Sequence, residues 1–327
     1  MAPRVLVVGA GALGTLYGAA MARAGADVQL LGRRAHAEAI EAAGGVTVEG
    51  FGPASHVALR AAWDAQAVEP AEIVIVMTKS HDTERALGML DHVRAGVEVA
   101  VSFQNGVEKD ALLAAWCGPE RVVGGMSMVG ATLATPGMVR HTLAGTTYVG
   151  ELTGERSARV KRLAGLLERG GMPVVTTERI VSAEWSKLVH AAPTMTITAL
   201  PRVPFHRALL DRSLASAYVE SLREGAAVAA AAGVELDDWP GMFPVRTLAA
   251  LSRAEAIAAV RERGRQMAAA GATDVRVSML ADIEAGRPLE TGAVHGFLVR
   301  AAQRRGVDVP VTRAALDLFL ALDAVRA

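Results

Sequence analysis

Cysteine is almost missing from this chain of 327 residues: Cys117 stands alone, so no internal disulfide can form and a reducing compartment is expected. Aromatic residues make up only 4%, which leaves alanine and valine to carry the packing. Net charge is absent too. With 34 Lys and Arg against 34 Asp and Glu, the chain carries no footprint for nucleic acid or an acidic membrane. No apolar run reaches the length of a membrane span. The N-terminus enters a strand pattern at once, leaving no room for a signal peptide, so a soluble cytoplasmic protein is expected. The eight histidines are scattered, none at ligand spacing from another His or Cys, and no metal site is expected.

What is present starts at the first residues. Val5-Leu6-Val7-Val8 reads as a buried strand, and Gly9-Ala10-Gly11-Ala12-Leu13-Gly14 follows directly, with helix continuing to Gly25 and a second strand at Val28-Gln29-Leu30-Leu31. In a strand–turn–helix the three glycines have separate roles: Gly9 permits the tight turn, Gly11 lets a pyrophosphate approach the backbone, and Gly14 lets helix and strand pack closely. The free N–H groups and positive dipole end of the helix then hold the phosphates. The alternative is a glycine-rich turn of some other α/β protein.

The residue that reads the adenosine ribose is expected at the end of the second strand. An Asp or Glu there selects NAD. Here the strand ends Leu31-Gly32-Arg33-Arg34, with no carboxylate. Two permanent cations with planar forks of donors suit a 2′-phosphate, which points to NADP(H). A pair of solvated surface arginines is the competing explanation.

Further on, the pattern predicts a helix over 35–43 and a strand pair around 46–48 and 57–59. Ile73-Val74-Ile75-Val76-Met77 is apolar on both faces, as an inner parallel strand should be, and ends in Thr78-Lys79-Ser80. Val97 to Phe103 repeats this and ends in Gln104-Asn105-Gly106-Val107. Lys79 and Asn105 therefore fall at carboxyl ends of parallel strands, where open α/β sheets bind ligands. Strands over 122–131 and 138–150, a helix over 155–169 and a last strand at Val174-Val175 complete the alternation. From Arg179 onward only helical periodicities remain, ending in a helix opened by Val309-Pro310 with Leu316, Phe319 and Leu320 facing inward. Two domains are expected: 1–177, α/β and dinucleotide-binding, and 178–327, all-helical.

The helical half must supply the acid or base. In Glu184-Trp185-Ser186-Lys187-Leu188-Val189-His190, next to the domain junction and the cleft expected there, a lysine ammonium is suited to stabilise and protonate the oxygen of a carbonyl under reduction. Pairing of Lys187 with Glu184, three residues back, explains the same residues without any function. Ser278-Met279-Leu280-Ala281-Asp282 and Gly286-Arg287-Pro288-Leu289-Glu290 read as a short helix, a tight turn and the first turn of another helix, where the charge of Glu290 is favourable.

Taken in order, Gly9 to Gly14, Arg33, Lys79, Gln104-Asn105-Gly106, Pro136-Gly137-Met138-Val139-Arg140-His141, Trp185-Ser186-Lys187-Leu188 and Ser278-Met279…Asp282…Gly286-Arg287…Glu290 resemble the ketopantoate reductase (2-dehydropantoate 2-reductase) family of pantothenate biosynthesis over nearly the whole chain. The resemblance implies an α/β Rossmann-type N-terminal domain joined to an all-α C-terminal domain like that of 6-phosphogluconate dehydrogenase, with NADPH as cofactor. It implies cofactor contacts from Gly9, Ala10, Gly11, Ala12, Leu13, Gly14, Arg33, Lys79, Asn105, Ala131 and Glu290. Arg33 matches the residue at the 2′-phosphate, and Ala131 an alanine whose backbone meets the cofactor. Lys79, Asn105, Lys187 and Ser278 are implied on the substrate side, with Lys187 as proton donor and Glu290 as the carboxylate beside it and the nicotinamide ribose. The implied partner is a small 2-oxo acid, with no nucleic acid or membrane, and the chain acts as a monomer or homodimer.

One departure stands out. The family's helix carries Asn four and eight positions after the lysine, on one face. Here those positions are Ala191 and Met195. His190 and Thr194 lie on nearly the same face, either covering for the amides or forming ordinary helix surface, and Pro193 is expected to kink the helix. The departure leaves open a paralogue that reduces another 2-oxo acid or an imine. A non-catalytic NADP(H)-sensing protein is the reading from a different class, and it has no need of Lys187 or Glu290.

Overall fold

The structure, a computed structural model, describes residues 2–326. Its first part is built on strands β1 (Arg4–Val8), β2 (Asp27–Leu31), β3 (Val46–Gly50), β4 (Gly52–Val57), β5 (Arg60–Ala62), β6 (Ile73–Val76), β7 (Val99–Ser102), β8 (Val122–Ser127), β9 (Gly130–Thr135), β10 (Met138–Leu143), β11 (Thr147–Gly150) and β12 (Val174–Thr176). Eight of them form one sheet in the order β12-β11-β8-β7-β6-β1-β2-β5, parallel except for β8 against β11. The strand alternation accounts for two packed faces. Val5, Val7, Ile73, Ile75, Val99 and Val101 enter one apolar core, while Leu6, Val8, Val74, Val76 and Ala100 enter the other.

Helices α1 (Ala12–Arg23), α2 (Arg34–Ala43), α3 (Thr83–Gly88), α4 (Asp91–Arg94), α5 (Lys109–Cys117) and α6 (Ala158–Arg169) connect and cover the strands. The chain goes from β1 to β2 on one side and later to β6 on the other. β1 thus lies at the point where strand order reverses, and the crevice for a ligand opens beyond its carboxyl end.

A second sheet, β4-β3-β10-β9, lies over α1 and closes its outer face with Val46, Val48 and Val139. Its pairing modifies the sequence expectations. The stretch 122–131 is not one strand, because β8 stays in the large sheet while β9 leaves for the small one; 138–150 divides likewise into β10 and β11. Val57 ends β4, and Ala58 and Leu59 separate it from β5. Tyr17 of α1 ties the layers together, with its hydroxyl 2.7 Å from Ser127 Oγ and 2.6 Å from Thr147 Oγ1 and its ring stacked on Phe103.

Two compact units divide between Val181 and Ser182, where the sequence expectation was after residue 177. No strand follows β12 among the described residues. The second unit takes most of α7 (Ile180–Ala199), then α8 (Phe205–Leu210), α9 (Arg212–Ala231), α10 (Val245–Ala250), α11 (Arg253–Ala269), α12 (Ser278–Glu284), a π-helical turn at Gly292–Gly296, α13 (Phe297–Arg305) and α14 (Pro310–Arg326). Helix starts are chemically marked: Asp211 caps α9, and Ser252 with Glu255 forms a capping box on α11. The α9 carboxylate Glu224 accepts from the first N–H groups of α14, at Val311 and Thr312, both at 2.8 Å. On α14 Phe319 is buried and Leu316 half-buried, but Leu320 is 52% exposed, contrary to the inward face expected. No helix among the described residues is long and apolar enough to cross a membrane.

Candidate functional site

In the α/β unit the glycine loop has three different reasons for its three glycines. Gly9 has φ +99°, and a Cβ on it would lie 2.4 Å from the backbone nitrogen of Thr78. A Cβ on Gly14 would lie 2.2 Å from the carbonyl oxygen of Gly9. Both are glycine because the fold is closed there. Gly11 is different: φ is −81°, and a Cβ would meet nothing within 4 Å. The fold does not require glycine at Gly11, and the loop leaves open space there for a ligand. Helix α1 also starts with no side-chain cap and no acidic residue in its first turn, so its leading N–H groups stay available to an anion. The cradle fits a dinucleotide pyrophosphate.

At the end of β2 the two arginines separate. Arg34 pairs with Glu38 at 2.7 Å and lies over the Trp63 ring at 4.7 Å. Arg33 is exposed and engages no side chain among the described residues. Of the two, Arg33 is the guanidinium open to a phosphate.

Lys79 follows β6 and leads a 3₁₀ turn at Ser80–Asp82, and Asn105 follows β7, both half-buried. Gln104 braces these two strand ends. Its Nε2 donates to the Thr78 carbonyl at 2.6 Å and to Thr83 Oγ1 at 2.7 Å, while Ser102 Oγ donates to its Oε1 at 2.8 Å. With every hydrogen-bonding arm of Gln104 committed, Asn105 is left as the amide with no such bond. Ala131 is placed apart from the parallel strand ends, on β9 opposite His141 in the small sheet.

In the helical unit Lys187 is half-buried on α7, next to a buried run from Ser182 to Ser186. Ser278 is the first residue of α12. Glu290 is buried at 8% exposure but does not occupy a first helical turn as expected: it ends an irregular stretch, and the π-helical turn begins after Thr291. A buried Asp282 explains that irregular stretch. Its carboxylate accepts from Arg287 Nε at 2.8 Å, its carbonyl from the Arg287 N–H at 2.9 Å, and Gly286 takes φ +66° between them. Leu289 N–H donates to Asp323 of α14 at 3.2 Å. Asp282, Gly286 and Arg287 therefore fix the turn that presents Glu290.

The turn is joined to the lysine helix. Phe297 packs edge-on against Trp185 at 5.4 Å, and His295 lies 3.0 Å from the carbonyl of Ala192. The sequence reading missed His295, whose only signal was a histidine five residues after Glu290. Of the two helix residues considered as stand-ins for the missing amides, Thr194 donates to the His190 carbonyl at 2.7 Å. His190 has Nδ1 2.8 Å from the Tyr218 hydroxyl. Burial lowers the His190 pKa to about 4, and the nearby Lys187 ammonium adds to that. Met195 is buried, while Ala191 is half-buried.

Residues 5–154 match the family of ketopantoate reductase PanE/ApbA, and residues 179–323 match ketopantoate reductase PanE/ApbA C terminal. A 2-dehydropantoate 2-reductase of Archaeoglobus fulgidus is 32% identical over 321 residues, covering 98% of each chain. The crystal structure of a PanE/ApbA family ketopantoate reductase from Ralstonia eutropha is similar at a TM-score of 0.83 and 27% identity, over 99% of each chain. A ternary structure of D-mandelate dehydrogenase with NADH and anilino(oxo)acetate reaches a TM-score of 0.84 over 99% of each chain; at 19% identity it shows a shared fold alone.

Proposed function

Because this chain belongs to the ketopantoate reductase family and is an oxidoreductase of that class, we propose that it reduces a small 2-oxo acid to the 2-hydroxy acid with NADPH, 2-dehydropantoate being the first candidate. The observation that carries the reading is Lys187, half-buried on α7, which the resemblance matches to the family's proton donor.

A bound nicotinamide supplies the hydride that adds to C2 of the acid. The chain's own residues do the rest. The uncapped N-terminus of α1 and the open space at Gly11 hold the pyrophosphate, and Arg33 holds the 2′-phosphate. Lys187 stabilises the oxygen as charge develops and gives it the proton. Glu290, in the turn set by Asp282 and Arg287, would take the nicotinamide ribose and would keep the ammonium charged and directed. Lys79, Asn105 and Ser278 orient the polar groups of cofactor and acid, and Ala131 meets the cofactor through its backbone.

Ala191 and Met195 favour a second reading within the same chemistry, a paralogue whose acid lacks the hydroxyl of 2-dehydropantoate. Oxidation of NADPH against a panel of 2-oxo acids tests both. Turnover of 2-dehydropantoate far above the others supports the first, turnover of branched or aromatic acids supports the second, and turnover of none removes the proposal.

A further inference from the structure

We propose that His190 is a substrate-binding residue whose Nε2–H holds the carboxylate of the 2-oxo acid. The inference rests on the reductase reading above and assigns a residue that the family pattern does not use.

The ring is fixed from three sides. Phe243 stacks on it at 5.2 Å with an interplanar angle of 15°, and Tyr218 and Phe205 meet it edge-on, each at 6.3 Å. The Tyr218 hydroxyl sits 2.8 Å from Nδ1. A phenol is the more acidic partner, so its O–H donates to Nδ1 and the ring hydrogen resides on Nε2. Thr194 does not compete for Nδ1, because its own hydrogen goes to the His190 carbonyl at 2.7 Å.

Nε2 is left over. It has no hydrogen-bond partner among the described residues, yet it is not among the polar atoms sealed from solvent, and His190 keeps part of its surface open. A ring held in one rotamer and one tautomer, with its second nitrogen open, is a preorganised donor. It stands three residues after Lys187 on the same helix, one turn away.

The chemistry narrows what it binds. Neutral imidazole offers Nε2 as a donor only, whereas an asparagine amide offers both donor and acceptor. A carboxylate oxygen satisfies such a donor, and a substrate hydroxyl gains no acceptor from it. Burial keeps the imidazole neutral in the physiological range, so Lys187 remains the acid of the pair. The aromatic rings beside it, Phe205 and Phe243, suit an acid with an apolar side chain.

His190→Phe tests this, since it keeps an aromatic ring against Phe243 and removes only the donor. The expected result is a KM for the preferred 2-oxo acid raised at least tenfold, kcat within about threefold, and NADPH affinity unchanged. His190→Gln, which restores an N–H, should give a KM between those of the wild type and His190→Phe. In the wild type, ¹⁵N spectra should show His190 as the Nε2–H tautomer, with that resonance shifting when a non-reducible 2-oxo acid analogue is added to the NADP complex. This spectrum decides the matter even where a variant fails to fold. Active wild type with an unchanged KM in His190→Phe, or an Nδ1–H tautomer indifferent to the analogue, overturns the inference and leaves the reductase reading standing. A wild type that reduces no 2-oxo acid overturns both.

Discussion

His295 Nε2 donates to the backbone carbonyl of Ala192 at 3.0 Å, which joins the turn after Glu290 to the helix that carries Lys187. A carbonyl can only accept, so the hydrogen sits on Nε2, and Nδ1 is buried without a partner. Pro193, the next residue, lacks an N–H, so α7 is missing one of its own bonds at this point. Thr196 Oγ1 also donates to the Ala192 carbonyl, at 2.9 Å. Helix α7, which continues through Pro193, and the π-helical turn thus share one fastening, which sets where Glu290 sits in relation to the lysine helix.

Burial of that histidine makes stability depend on pH. Complete burial holds the His295 pKa down at about 4, against 6.5 for the free side chain. Between those values the unfolded chain takes up a proton that the folded one does not, so stability is full above about pH 6.5 and falls as pH drops toward 4. The slope per group is about 1.4 kcal/mol per pH unit. His190, also lowered to about 4, acts in the same direction. Urea midpoints at about pH 7.5, 6 and 5 should fall together with pH, and His295→Gln should flatten the curve. An equally steep curve in that variant would assign the effect to other groups.

The glycine loop gives a paired prediction. Gly14→Ala places a methyl 2.2 Å from the Gly9 carbonyl and should cost about 1–3 kcal/mol of stability. Gly11→Ala faces open space and should cost less than about 1 kcal/mol, yet weaken NADPH binding at least tenfold. Thermal melts with cofactor titration separate the two. Normal NADPH affinity in Gly11→Ala would show that nothing is bound against that residue.

The glycine loop was legible because strand, turn and helix occupy consecutive residues, although the close approach of Thr78 to Gly9 was not. The succession of an α/β part and a helical part was readable from the hydrophobic period, which changes from strand to helix along the chain. Long-range pairing was not. The small sheet needs Met138 beside Thr47, and nothing in either segment announces the other. His190 looked like helix surface because Tyr218 lies 28 residues away. The distinction between Arg33 and Arg34 depends on Trp63, at the end of β5, which only the parallel pairing of β2 with β5 brings near. Leu320 was misplaced because an apolar periodicity does not reveal how wide the covered face is.

Cofactor choice follows from that pair of arginines. NADPH should bind at least tenfold more tightly than NADH, a difference of about 1.4 kcal/mol or more. Arg33→Ala should remove most of the gap, while Arg34→Ala, whose guanidinium is already held by Glu38 and Trp63, should leave most of it. Fluorescence titration of both cofactors measures this. Equal affinities in the unmodified protein refute the assignment.

Lys187→Ala should lower kcat by roughly 10² or more, the scale of general acid catalysis, with NADPH affinity little changed. Stopped-flow turnover with the best 2-oxo acid reads the first and titration the second. Near-normal turnover would return Lys187 to a structural role on α7.

Substrate choice turns on Ala191 and Met195, and the structure separates them. A site that hydrogen-bonds a substrate hydroxyl rejects analogues lacking it, because its own polar groups are then left unpaired. Neither residue offers such a group, so kcat/KM for 2-dehydropantoate should lie within about tenfold of that for a branched analogue without the hydroxyl, such as 2-oxoisovalerate. A preference above about 10³ would mean that other residues read the hydroxyl. Restoring amides should not act equally at the two positions. Ala191 is half-buried, so Ala191→Asn can place its amide at an accessible surface and should move the preference toward 2-dehydropantoate. Met195 is 5% exposed, so Met195→Asn removes apolar packing and buries an amide without a prepared partner. That variant should lose about 2–4 kcal/mol of stability and gain little selectivity. If Met195→Asn shifts the preference as far as Ala191→Asn at unchanged stability, the inward placement of Met195 is not what decides which acid is accepted.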